Sequence, residues 1–129
     1  MSTRTDLVAA LVAGLDPVAY RVTGSPSCPD RIETLTFDVR AWVSRIAPGI
    51  ASGSVQIDCT VWVLTPLAEP GPTDDALDGA SDDVLAVLYA LPWLTAPTAE
   101  RGVMDGDEGP RWHGWRFETS AFGQINLED

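Results

Sequence analysis

Two stretches of strict alternation constrain this chain more than anything else in it. In the first, Leu35, Phe37, Val39, Ala41 and Val43 alternate with Thr36, Asp38, Arg40 and Trp42. In the second, Val55, Ile57, Cys59, Val61 and Val63 alternate with Gln56, Asp58, Thr60 and Trp62. A period of two sends successive side chains to opposite faces of a strand, so each stretch predicts a strand with one apolar face. Pro48-Gly49 and Ser52-Gly53 supply turn chemistry between them, and a long antiparallel hairpin follows. A register with Arg40 opposite Asp58 sets Val39 beside Cys59 and Phe37 beside Val61. That register pairs opposite charges and keeps every apolar side chain on one face.

The remaining segments fit around the hairpin. Thr3 and Thr5 offer capping oxygens ahead of Leu7, Leu11 and Leu15, which recur at helical spacing until Gly14 and Pro17 stop them. A short strand is expected over 19–22. Residues 67–72 are rich in proline and read as a connection, after which Thr73, Asp74 and Asp75 are good capping residues. Leu77, Ala80, Val84, Leu88 and Leu91 then trace one helical face up to Pro92. Asp74, Asp75 and Asp78 sit where a helix dipole favours negative charge, while Asp82 and Asp83 lie off the apolar stripe. Residues 98–104 suit an edge strand and are followed by an acidic turn. A last strand starts near Arg111, with His113, Trp115, Phe117 and Thr119 on one face and Trp112, Gly114, Arg116 and Glu118 on the other. The order α-β-β-β-α-β-β predicts an α+β fold, a single domain over 1–129 with two helices packed on one face of a mostly antiparallel sheet.

Charge narrows the function. The chain has eight arginines and no lysine, against 19 carboxylates. Residues 1–64 hold six acids and five arginines, net −1, whereas residues 65–129 hold 13 acids and three arginines, net −10. Gripping a polyanion draws affinity from cationic side chains, so specific nucleic-acid binding is disfavoured. Without lysine there is no P-loop and no Schiff-base chemistry. Any catalytic triad must use His113, the one imidazole; flanked by Trp112 and Trp115 in a strand, it reads as a packing or hydrogen-bonding residue. Asp105, Asp107 and Glu108 lack the ligand ladder of a calcium loop and read as a solvated turn. The two cysteines, Cys28 and Cys59, have neither metal spacing nor disulfide density and read as free thiols. The longest apolar runs are nine and eight residues, far short of the roughly 18 a membrane span needs, so no membrane association is expected. Neither enzyme nor cofactor is expected, and the chain reads as mature and made in the cytoplasm.

Trp42 and Trp62 fall on the otherwise polar faces of their strands. A large aromatic on a wet face demands cover, either from another part of the same domain or from a subunit contact.

The succession of a helix over 7–15, a strand at 20–22, the hairpin ending Val61-Trp62-Val63-Leu64-Thr65-Pro66, a helix over 72–91 and the aromatic strand Trp112-His113-Gly114-Trp115-Arg116-Phe117 resembles the tail terminator proteins of long-tailed bacteriophages, in particular those of actinobacterial hosts. The likeness lies in element order and texture over nearly the whole chain. It implies a non-enzymatic virion protein, assembled in the host cytoplasm, that forms a homohexameric ring at the head-proximal end of the tail. Such a ring caps the major tail tube protein, stops polymerisation and offers a docking surface to the head–tail connector. Trp42, Trp62, Arg40 and Asp58 are then candidates for a subunit or tube contact. Asp82, Asp83, Asp105, Asp107 and Glu108 are candidates to face a channel through which DNA passes without sticking. Another head–tail connector or tail-completion protein is the nearest alternative; an acidic inhibitor or DNA mimic, or a small hydrolase built on His113, are the others.

Overall fold

A computed structural model of the chain describes residues 3–16, 19–26, 32, 37–48, 54–66, 70–95, 97–105 and 111–124. Helix α1 (Thr3–Gly14) buries Leu7 and Leu11, with Leu15 just beyond it, because a spacing of four returns a side chain to the same face. The strands are β1 (Tyr20–Thr23), β2 (Phe37–Pro48), β3 (Ser54–Thr65), β4 (Thr98–Asp105) and β5 (Arg111–Gln124), with helix α2 (Pro70–Tyr89) between β3 and β4. The expected α+β order is therefore the observed one.

Helix α2 starts earlier than the capping pattern predicts, at Pro70 rather than after Thr73, Asp74 or Asp75. The first turn of a helix does not use its N–H groups internally, so Pro70 and Pro72 are tolerated there. Asp75 and Asp78 accordingly lie beyond the first turn, where the dipole contributes little. Leu77, Ala80, Val84 and Leu88 form its buried stripe, and the helix ends at Tyr89, before Leu91.

The strands form one five-stranded sheet in the order β1-β2-β3-β5-β4. Only β1 and β2 pair in parallel; the other pairs are antiparallel. Both helices contribute to a core against one face, built on Val39, Ala41, Cys59, Val61, Val63 and Phe117. Each fully buried valine or phenylalanine among them contributes about 1.5–3 kcal/mol of transfer free energy.

The hairpin register differs from the expected one. Arg40 lies opposite Trp62, Val39 opposite Val63 and Val43 opposite Cys59, a displacement of four residues from the pairing of Arg40 with Asp58. An even displacement keeps every side chain on its predicted face, which is why alternation alone does not distinguish the two registers. Between Val43 and Arg45 the register slips by one at a bulge, so that Arg45, not Arg40, faces Asp58. The unpaired Ser44 donates its hydroxyl to the Asp58 carbonyl at 3.1 Å. Beyond the bulge Ile46 pairs with Ile57 but remains 65% exposed.

Candidate functional site

The sheet face opposite the helices carries the residues singled out by the sequence. Cross-strand partners share a face, so Trp42, Trp62, Leu64, Met104 and Trp112 all fall there, and with Ile32 they form a second, smaller apolar cluster. Ile32, Leu64 and Met104 are buried, whereas the three tryptophans are half-buried. Among the described residues no helix contributes to this cluster, and Ile32 is its one member from outside the sheet. The tryptophans are thus covered in part from within the domain and remain partly open.

Trp62 lies against Gly102. Gly102 and Gly114 lie side by side in β4 and β5, with Gly114 also opposite Leu64 of β3. A Cβ on Gly102 would come within 3.1 Å of Trp62 Cη2, so the indole reaches from β3 across β5 to β4 over bare backbone. A Cβ on Gly114 would strike the Val63 carbonyl and stand 2.8 Å from Leu64 Cδ2.

Several charged groups on this face are held within the domain. Arg40 Nε donates to Asp38 Oδ1 at 2.6 Å, an ion pair between two residues of one strand that are both almost wholly buried. Asp58 accepts from Ser120 Oγ at 2.7 Å and Gln56 Nε2 at 2.9 Å. Those two bonds, the Ser120 one foremost, with the nearby Arg45 charge hold its carboxyl below the usual carboxylate range. Arg116 reaches Glu100 at 2.7 Å and Glu118 at 3.6 Å, both at exposed positions. Arg40 and Asp58 therefore do not meet; each is held by a separate partner that alternation did not identify. Ser44, Arg45, Asp58, Thr98, Glu118 and Ser120 contribute to a polar concavity of about 480 Å³.

The acids expected to face a channel divide. Asp82 is exposed on α2, while Asp83, also exposed, accepts a 2.7 Å hydrogen bond from the Tyr20 hydroxyl and so ties α2 to β1. The Asp105 backbone closes β4 opposite Arg111; its side chain, together with Asp107 and Glu108, lies outside the described residues. Cys28 does too.

His113 is exposed on β5, between Thr65 and Val103. The buried Cys59 thiol is pushed up to about 11, by burial and then by the Asp58 charge, which leaves it protonated and unreactive at neutral pH. Among the described residues no three His, Cys, Asp or Glu side chains converge as a metal site. Among the described residues no helix is long and apolar enough to cross a membrane.

Trp112, Asp38, Ser120 and the two glycines were not singled out by sequence reasoning. Trp112 had a signal, since it shares its strand face with Arg116 and Glu118; joining it to the other tryptophans required knowing that β5 lies beside β3. No family model matches the chain, and no curated protein matches it.

Proposed function

We propose that this chain is a non-enzymatic phage assembly protein of the tail terminator kind, acting as a ring that caps the tail tube, halts its growth and receives the head connector. The observation that carries the reading is the sheet face bearing Trp42, Trp62 and Trp112 half-buried and unroofed by either helix. Tryptophan is enriched at the energetic centres of protein contacts, and a rigid sheet holds the three in fixed positions. The element order that underlies the resemblance to tail terminators is also the order of the fold. The exposed Asp75, Asp78 and Asp82 on α2 suit a lumen that must let DNA slide past, because like charge repels phosphate.

Electron microscopy of the protein mixed with assembled tail tubes tests this directly. A single ring at one tube end is the expected image; tubes left bare, or decorated along their length, refute the reading. Trp42→Ala and Trp62→Ala are expected to weaken capping while the protein stays folded, and unchanged capping by both would remove the tryptophans from the contact.

A further inference from the structure

We propose that the groove between α1 and α2 receives an amphipathic, cationic helix from another protein. The two helices meet where Gly14 faces Val87: a Cβ on Gly14 would stand 2.6 Å from Val87 Cγ2, so the bare backbone is what lets them touch. Beside that contact Ala10, Ala13, Ala86 and Ala90 present only methyl groups and leave a groove of about 690 Å³, with Ala13, Ala86 and Ala90 exposed along it. One part of the groove is polar. Asp16, Tyr20 and Asp83 line it together, both acids at exposed positions. The Tyr20 hydroxyl donates to Asp83 Oδ2 at 2.7 Å and the Tyr20 N–H to the Asp16 carbonyl at 2.8 Å, so the two acids are gathered around one phenol.

Charge decides the occupant. Helix α1 ends at Gly14 with no basic residue in its last turn, so the negative end of its dipole adds to the two acids instead of being offset. Among the described residues the groove lining contains no cation. Arg4, the one basic residue of either helix, donates to the Gly24 carbonyl at 2.6 and 3.0 Å. An apolar floor that leads to two carboxylates, a tyrosine ring and a helix carboxyl terminus is matched by a row of apolar side chains ending in Lys or Arg. Asp83 and Ala90 are two turns of α2 apart, about 10 Å at 1.5 Å per residue, so a helix lying along the groove carries its cation about two turns from its far apolar anchor. Neither helix of a second copy supplies such a segment, and an anionic lipid surface is repelled by the same acids. Asp75, Asp78 and Asp82, which suit a lumen, are not part of the lining, and the groove does not depend on the tail reading.

Fluorescence anisotropy with two labelled probes tests this: a synthetic helix of leucine, alanine and arginine, and its counterpart with glutamate in place of arginine. The arginine probe is expected to bind saturably and the glutamate probe not to bind. Ala86→Gln with Ala90→Gln fills the groove at exposed helical positions, and Asp16→Asn removes charge from its polar part. Each is expected to weaken the arginine probe about tenfold or more, with circular dichroism spectra unchanged. Asp75→Asn with Asp78→Asn takes two charges from α2 outside the groove and is expected to leave the affinity within about twofold. Absent or non-saturable binding, equal binding of the glutamate probe, undiminished affinity in the filled groove, or an equal loss in the Asp75 and Asp78 variant overturns the proposal, the last by reducing the effect to the acidity of the whole surface. Self-association that the glutamine pair abolishes overturns it too, by making a second copy the occupant. Tube capping scored with the same variants separates the two ideas: capping without probe binding leaves the tail role standing, and probe binding without capping leaves only the groove.

Discussion

At Gly114 a single added methyl group has no room. Its Cβ would meet the Val63 main chain, which cannot move without disturbing the β3–β5 ladder, whereas at Gly102 the obstacle is the far edge of the Trp62 ring. Gly114→Ala is therefore expected to lose about 3 kcal/mol or more and Gly102→Ala about 1 kcal/mol, as read from chemical denaturation. Asp58 gives a second prediction at this scale. An unfolded chain ionises its aspartates near about 3.9, and Asp58 does so lower in the folded state. Its contribution is fully present above that unfolded value and disappears as pH falls through the folded one. Ser120→Ala removes the larger cause, so NMR titration of the Asp58 carboxyl should record an upward shift, and the stability difference between variant and wild type should close in acid.

Between elements, the Tyr20–Asp83 bond is the polar tie from α2 to the edge of the sheet. Tyr20→Phe is expected to cost about 1 kcal/mol, the usual net worth of a hydrogen bond. Burial first, then the Asp83 bond and charge, keep the Tyr20 phenol protonated well above its ordinary value of 10.0. The unfolded chain releases that proton near pH 10 while the folded one retains it, so stability falls as pH climbs past 10. Urea midpoints compared across that range should reveal this alkaline loss in the wild type and a smaller one in the variant. The same elements mark what could be read from the amino-acid order. Apolar spacing of four located the faces of α1 and α2, and alternation located both faces of β2, β3 and β5. Register was not legible, because a displacement of four preserves every face and nothing local signalled the bulge at Ser44. The start of α2 was missed because prolines that break a helix interior are harmless in its first turn.

For the molecule as a whole, half of the candidate surface was legible. Trp42 and Trp62 stood out as aromatics among polar neighbours, and their common face followed from parity. Their company did not: Trp112, Met104 and the glycine pair arrive from strands far along the chain, brought in by a sheet order that no local pattern encodes. Arg40 and Asp58 were visible as charges, yet their true partners, Asp38 and Ser120, depended on register and on β5. That strand also governs the order in which the protein can come into being. Since β5 is threaded between β3 and β4 and brings Phe117 to the centre of the core, a nascent polypeptide lacking residues 111–124 leaves β3 as a bare edge and β4 without its strand partner. Translation must outrun folding here. Ribosome-stalled chains ending before Arg111 are expected to be cut readily by protease, and chains extended past Gln124 and clear of the exit tunnel to resist it.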